Sequence, residues 1–116
     1  MNSQLSNLAY DNTLKADWLT DWFKAYYLYV DMVEKYDNDS LFVEIGTWTG
    51  KSSAFMASLI KYYDKKITFY TIDTFKGSPD EQEHNQIVNA HGGDLFTICH
   101  NNLKQCNVLD YINIIK

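Results

Sequence analysis

The chain has 116 residues, a mass of 13.5 kDa and a net charge of −5, so it forms one domain at most. Its hydrophobic fraction of 46% and aromatic fraction of 16% exclude an intrinsically disordered chain. The acidic balance, with a pI near 4.9, disfavours nucleic acid or an anionic membrane as a partner. All ten basic residues are lysine, so no guanidinium group is available to grip a phosphate with two parallel hydrogen bonds.

The N-terminal third is predicted to be a flexible lead-in followed by one long helix. Residues 1–15 form the lead-in, because residues 1–13 are polar and show no hydrophobic period. Beyond them, apolar side chains recur every three or four residues, which predicts an amphipathic helix over residues 16–35. The apolar stripe consists of Leu19, Trp22, Phe23, Tyr26, Val30 and Val33. The single domain is thus expected to span residues 16–116.

A strand, a glycine turn, a helix and a second strand are predicted next. Residues 41–45 are a short apolar run ended by Gly46, the pattern of a buried strand. Residues 51–63 return to helical spacing, and the hydroxyls of Ser52 and Ser53 are placed to accept free N–H groups at the helix start. Residues 67–73 are rich in β-branched and aromatic side chains and predict a second strand. This order predicts a right-handed parallel crossover.

The remaining third is predicted to add two helices and a third strand. Residues 74–83 are predicted to form a loop, because they contain the only proline and a Gly-Ser pair. Helices are expected over residues 81–90 and 94–106, and a strand over residues 111–115. The predicted fold class is α/β, a Rossmann-like parallel sheet of three strands with flanking helices, preceded by the long amphipathic helix.

No part of the sequence indicates membrane insertion or export. No stretch approaches the roughly 20 apolar residues of a membrane helix, and no basic segment precedes an N-terminal apolar run. We therefore expect a cytoplasmic protein without a membrane partner. Cys99 and Cys106 lie on one face of a predicted helix, and we expect core or partly buried thiols rather than a disulfide.

The histidines do not predict a metal site. His84, His91 and His100 have acidic residues in the same part of the chain. None of their spacings directs two ligands from one element towards the same point, so we expect no bound metal.

The turn after the first predicted strand matches a phosphate-binding loop only in part. Gly50, Lys51 and Ser52 match the end of such a loop, but Ile45 stands where its first glycine is required. Glu44, just before the turn, would repel a pyrophosphate. S-adenosylmethionine carries a sulfonium and an ammonium group and no phosphate, so the carboxylate favours this ligand over a nucleotide or NAD.

The ends of the two strands suggest how such a ligand would lie. A nucleoside placed beyond the carboxyl ends of parallel strands meets the glycine turn and the tip of the second strand. Asp73 is positioned there to accept hydrogen bonds from both ribose hydroxyls, since two carboxylate oxygens match a vicinal diol. The carboxylate of the ligand would rest on the N–H groups and hydroxyl at the helix start, around residues 50–52.

Two short motifs carry a family resemblance. They are Glu44-x-Gly46-x-x-x-Gly50-x-Ser52 and Ile72-Asp73-Thr74-Phe75-Lys76-Gly77. Together they resemble class I S-adenosylmethionine-dependent methyltransferases, and among these the small-molecule O-methyltransferases of the catechol, caffeoyl-CoA and macrocin types. The family often has a glycine in the middle of its first motif, where this chain has Trp48. The catechol type also carries a bulky residue at that position.

The resemblance implies a set of cofactor-binding residues for S-adenosylmethionine. The set is Glu44, Gly46, Thr47, Trp48, Gly50, Ser52, Asp73, Thr74 and Phe75. By this resemblance Glu44, Gly46 and Trp48 would line the methionine end of the ligand.

The same resemblance assigns residues to the rest of the ligand, but it covers only part of a methyltransferase domain. Ser52 would bind the methionine carboxylate, Asp73 would hold the ribose, and Thr74 or Phe75 would lie near the adenine. The resemblance covers residues 41–116 only, before the segments that face the transferring methyl group in the family. It therefore implies the N-terminal, cofactor-binding half of a methyltransferase, truncated relative to a complete domain and incomplete for catalysis alone. The methyl acceptor would be an unidentified small molecule with an oxygen or nitrogen nucleophile, and no catalytic residue is assigned.

Two other hypotheses remain open. The first is a non-catalytic binding or assembly module of the same fold, because three parallel strands that stop at Lys116 would leave an apolar sheet edge and face uncovered. A homodimer, or a missing C-terminal half, would cover them. The second is a nucleotide- or NAD-binding domain, which Glu44 and Ile45 disfavour.

Overall fold

The structure, a computed structural model, describes residues 3–15, 23–76 and 94–116. The helices are α1 (Ser3–Asn12), α2 (Tyr26–Lys35), α3 (Lys51–Tyr63) and α4 (Leu95–Gln105), with a short 3₁₀ helix at Leu109–Tyr111. The strands are β1 (Leu41–Ile45), β2 (Thr68–Ile72) and β3 (Asn113–Ile115). The helix predicted over residues 81–90 lies outside the described residues.

The three strands form one parallel sheet in the order β1-β2-β3. Val43 pairs with Tyr70, and Ile72 pairs with Ile115. Because β1 and β2 are parallel neighbours joined through α3, a parallel crossover and the Rossmann-like fold class are confirmed. The third strand is shorter than predicted, since the 3₁₀ helix occupies its expected start.

Helix α3 is the centre of the hydrophobic core. Its residues from Ser52 to Ile60 are all buried, and α1, α2 and α4 all contact it. Beneath it, the sheet contributes Phe42 and Phe69. Burying a side chain as completely as Phe55 contributes about 1.5–3 kcal/mol, so this helix accounts for a large part of the apolar stabilisation.

The opposite face of the sheet is open among the described residues. Leu41, Val43 and Ile45 are 62%, 53% and 82% exposed. The prediction of a buried strand therefore holds, among the described residues, only for the face of β1 that carries Phe42 and Glu44. The described helices gather around α3 on the other face, which carries Phe42 and Phe69, so β1 alternates between covered and uncovered side chains.

The N-terminal lead-in was predicted incorrectly, because residues 3–12 form helix α1 and pack on α3. The fully buried residues in this region, Ala9 and Thr13, are small, and the Thr13 hydroxyl donates to the Ala9 carbonyl at 2.7 Å. Asn12 adds a bond from its side-chain amide to the Tyr62 hydroxyl at 2.9 Å. The sequence pattern that predicts a helix consists of large apolar residues at helical spacing, so it did not identify a helix whose fully buried residues, in it and directly after it, are alanine and threonine.

The single helix predicted over residues 16–35 was also wrong in extent. Residues 23–25 are not helical, α2 begins at Tyr26, and residues 16–22 lie outside the described chain. The Phe23 ring lies 4.7 Å from the Tyr29 ring and 6.1 Å from the Phe55 ring, measured between centroids. These tertiary contacts pack the partly buried Phe23 against the core without the helical turn that its sequence spacing suggested.

Helix α4 follows its prediction closely. It occupies Leu95–Gln105, and Asp94 caps it by accepting the N–H groups of Phe96 and Thr97. Both cysteines are free thiols, with Cys99 buried and Cys106 half-buried, as expected. Burial raises the pKa of the Cys106 thiol to about 11. Among the described helices, none combines the length and the hydrophobicity that a bilayer crossing requires.

Lys65 closes the C-terminal end of α2. Its Nζ donates to the carbonyls of Val33, Glu34 and Tyr36, the last at 2.8 Å. These carbonyls carry the negative end of the helix dipole and otherwise lack intrahelical donors. One ammonium group therefore fixes the end of α2 to the segment that enters β2.

We expect Lys65→Met to lower the free energy of unfolding by about 1–2 kcal/mol, because it removes a charged donor from the end of a helix. Urea denaturation followed by circular dichroism measures this change. Lys66→Met is the matched control, since Lys66 is exposed and bonds Asn38 only through its backbone N–H. Equal losses in the two variants would contradict this role for Lys65.

Candidate functional site

The turn between β1 and α3 has an unusual backbone. Gly46, Trp48 and Gly50 all have positive φ angles, of 93°, 54° and 96°. A Cβ on Gly50 would lie 3.1 Å from the Cys99 Sγ, so this glycine allows α4 to approach the turn closely. A Cβ on Gly46 would meet none of the described residues within 4 Å. In the described part of the chain, the turn is therefore packed against α4 at Gly50 and open at Gly46.

Glu44 is the penultimate residue of β1, and its side chain lies on the covered face of the sheet, only 9% exposed. Its Oε1 accepts hydrogen bonds from the hydroxyls of Ser53 and, at 3.1 Å, Thr71. Its Oε2 accepts a hydrogen bond from the Tyr29 hydroxyl. The Thr47 hydroxyl extends the network, 2.5 Å from that of Thr71. All these donors to the carboxylate are neutral, so its negative charge is solvated but not neutralised by them.

Ser53 does not have the role that the sequence suggested. It was expected to accept N–H groups at the start of α3, but its hydroxyl donates to Glu44 instead. Gly50 is the N-cap residue and supplies no side-chain hydrogen bond. The first turn of α3, which includes the buried Ser52, therefore presents backbone N–H groups and the positive end of the helix dipole without a side-chain cap at Gly50.

Asp73 follows β2 and binds the glycine turn. Its Oδ2 accepts the N–H groups of Thr47 at 2.7 Å and Trp48 at 3.0 Å, and its Oδ1 accepts that of Phe75 at 2.9 Å. Burial opposes ionisation of this carboxyl, but hydrogen bonds from the backbone of Trp48, Phe75, Thr47 and Thr74 outweigh it and hold its pKa below the usual value. The sequence suggested that Asp73 accepts hydrogen bonds from a ribose, and it did not predict that Asp73 links the end of β2 to the turn after β1.

A second contact holds the same turn from the other side. The Asn102 side chain on α4 donates its amide to the Thr49 carbonyl at 2.8 Å. Thr47 and Thr49 are almost completely buried. The turn is therefore fixed by Asp73 from the sheet and by Asn102 from α4, so its open side at Gly46 is preorganised.

The two residues that follow Asp73 differ in solvent exposure. Thr74 is exposed, whereas Phe75 is buried at a φ of 57° with its ring 5.2 Å from the Phe96 ring, edge to face. The Phe96 ring in turn stacks on His100 at 6.3 Å. Of the two residues expected near an adenine, Thr74 presents surface and Phe75 contributes to the core.

The predicted site residues thus gather in two groups. Glu44 and Thr47 share one hydroxyl network, while Asp73 binds the backbone of Thr47 and Trp48. Sequence reasoning missed Thr71 and Tyr29 as members of this network. Thr71 could have been found, because it lies on β2 two residues before Asp73 and two residues apart is the spacing of one strand face, whereas no sequence signal marks the hydroxyl of Tyr29.

No metal centre is present in the described part of the chain, where no three histidine, cysteine or acidic residues are grouped as ligands. His84 and His91 lie outside the described residues. His100 stacks on Phe96.

We expect the hydrogen bonds that Asp73 accepts from the glycine turn to make the stability of the folded chain depend on pH in the acidic range. Because its pKa is lower in the folded chain than the usual 3.8, its stabilising contribution is complete above that value and is lost as pH falls through the folded pKa. Urea denaturation between about pH 6 and about pH 3 should show a steeper loss of stability for the unaltered chain than for Asp73→Asn. Asp110→Asn, an exposed charge loss, is the control. Parallel curves for the unaltered chain and Asp73→Asn would contradict this assignment.

A comparison with solved structures gives a match to the structure of the O-methyltransferase NovP. The TM-score is 0.53 at 18% sequence identity, and the match covers 77% of this chain and 43% of that one. This chain therefore spans less than half the length of the matched O-methyltransferase, and the likeness establishes a shared fold. A comparison with curated proteins gave no match.

The comparison with protein families identifies the same region as the geometry. The sequence pattern of the methyltransferase domain matches residues 43–112, which include the glycine turn, α3, β2 and α4. This match extends over more than half of the chain and agrees with the resemblance carried by Glu44, Gly46, Gly50 and Asp73. The chain belongs to the methyltransferase domain family.

Proposed function

We propose that this chain binds S-adenosylmethionine at the glycine turn and supplies the cofactor-binding part of a methyltransferase that acts on a small-molecule oxygen or nitrogen acceptor. The observation that carries the proposal is the buried carboxylate of Glu44 beside a preorganised turn that is open at Gly46. A buried carboxylate with only hydroxyl donors favours a cationic ligand, and S-adenosylmethionine carries two positive groups.

The charges along the turn support one direction for the ligand. Its ammonium group would face Glu44, and its carboxylate would face the first turn of α3 near Gly50 and Ser52, where N–H groups favour an anion. Its ribose would lie against Asp73 and its adenine beyond Thr74. The set Glu44, Gly46, Thr47, Trp48, Gly50, Ser52, Asp73, Thr74 and Phe75 remains our proposal for the cofactor site.

When bound, S-adenosylmethionine supplies an electrophilic methyl group on its sulfonium. The residues described here bind and orient that ligand, and catalysis would come mainly from holding the acceptor in line with the methyl group. Since this chain spans less than half of the matched O-methyltransferase, we assign acceptor recognition to polypeptide beyond the described residues.

Isothermal titration with S-adenosylmethionine and S-adenosylhomocysteine tests the proposal. We expect dissociation constants on the order of micromolar for the unaltered chain and at least roughly tenfold weaker binding by Asp73→Ala, which loses both the ribose acceptor and the tie to the turn. Asp110→Asn controls for loss of charge and should bind normally.

ATP and NAD serve as competing ligands in the same titration. Their phosphates would meet the Glu44 carboxylate, so we expect no measurable heat from either. Absence of binding by S-adenosylmethionine at about millimolar concentration, or tighter binding of ATP or NAD, would contradict the cofactor assignment.

A second candidate function is a self-associating assembly module, and the open face of the sheet favours it. Leu41, Val43, Ile45 and Ile115 are exposed on this face, and none of them is charged. β1 is also an edge strand of the described sheet. An uncharged apolar surface next to an unpaired edge is complementary to a second copy of itself.

Sedimentation equilibrium distinguishes this candidate. We expect a dimer for the unaltered chain and a monomer for Val43→Lys, because the substitution places a charge in the centre of the exposed face. Leu8→Lys, at another exposed apolar position on α1, should remain dimeric. A monomeric unaltered chain across the micromolar range would contradict the self-association hypothesis.

A further inference from the structure

Tyr29 connects α2 to the candidate site from outside the matched family region. It precedes residues 43–112, yet its hydroxyl donates to Glu44 Oε2. Its ring is fixed by the Phe23 ring, 4.7 Å away. The hydroxyl is thus held in place by packing that does not depend on the glycine turn.

The hydrogen bonds to Glu44 are distributed unequally between its two oxygens. A carboxylate has about four acceptor positions, two on each oxygen. Ser53 and Thr71 occupy both positions on Oε1. Tyr29 occupies one position on Oε2. Among the described residues, the acceptor position that remains is therefore on Oε2, beside the tyrosine hydroxyl.

We propose that Tyr29 is a positioning residue that holds the Glu44 carboxylate so that the free position of Oε2 receives the ammonium group of the ligand. This inference rests on the proposed binding of S-adenosylmethionine. The carboxylate is bonded through Oε1 on one side and through Oε2 on the other, so it cannot rotate about its final bond without breaking these bonds. Removing the tyrosine hydroxyl releases Oε2, and the ligand must then order it on binding.

The test compares two ligands that differ only in the ammonium group: S-adenosylhomocysteine and its deamino analogue. By isothermal titration, Tyr29→Phe should bind S-adenosylhomocysteine roughly fivefold to tenfold more weakly and the deamino analogue with less than about twofold change. Tyr29→Phe keeps the ring contact with Phe23. Tyr27→Phe, an exposed tyrosine on the same helix, should change neither affinity.

A double-mutant cycle with Glu44→Gln tests whether the loss of affinity in Tyr29→Phe is transmitted through the Glu44 carboxylate. In that background, Tyr29→Phe should cause no further loss for S-adenosylhomocysteine, since its effect passes through the carboxylate. Equal losses for the two ligands would show a general structural role and overturn the inference, as would an unchanged or stronger affinity for S-adenosylhomocysteine. If the unaltered chain binds neither ligand, the proposed function itself fails. Normal binding with no effect of Tyr29→Phe refutes only the role of Tyr29.

A measurement on the unaltered chain covers the case in which Tyr29→Phe does not fold. With tyrosine labelled at Cζ by carbon-13, S-adenosylhomocysteine should shift the Tyr29 resonance more than the deamino analogue does, because its ammonium group shares Oε2 with the hydroxyl. Equal shifts from the two ligands would overturn the inference.

Discussion

The carboxylate of Glu44 is the constraint around which the site is organised. The carboxylate of a residue that is only 9% exposed must be supplied with hydrogen-bond donors, since each missing donor costs about 1–3 kcal/mol. Here the donors come from α2, α3 and β2, through Tyr29, Ser53 and Thr71. One buried charge therefore fixes the relative positions of two helices and the sheet. The hydroxyl groups that bind the Glu44 carboxylate are neutral, so they solvate its negative charge but do not neutralise it.

The second organising group, Asp73, acts on the backbone rather than on side chains. By accepting the N–H groups of Thr47 and Trp48, it satisfies donors that the left-handed conformation of the turn directs away from the strand. The two acidic residues thus have different roles. Glu44 supplies charge within the core, and Asp73 fixes the shape of the turn. Gly50 lets α4 approach, and Gly46 keeps the outer side of the turn open.

Local patterns predicted the part of the fold closest to the site. β1, α3, β2 and α4 were located to within one or two residues, because their hydrophobic periods and the glycines between them are properties of short segments. Helix α1 was missed, since the fully buried residues in and directly after it, Ala9 and Thr13, are small and give no hydrophobic period. The hydrophobicity of Leu41, Val43 and Ile45 indicated a buried strand, and only the expectation that three parallel strands leave one face of the sheet uncovered pointed to their exposure. Tyr29 belongs to neither motif, and its link to Glu44 exists only through tertiary packing.

We propose that an adenosyl amino acid binds at the preorganised turn between Glu44 and Asp73. Amide hydrogen exchange with and without S-adenosylhomocysteine is the decisive experiment, because it reports the location of binding along the backbone. We expect slower exchange in residues 44–53 and 73–76 and little change in α1. Unchanged exchange in the turn, or protection confined to the open face of β1, would contradict it.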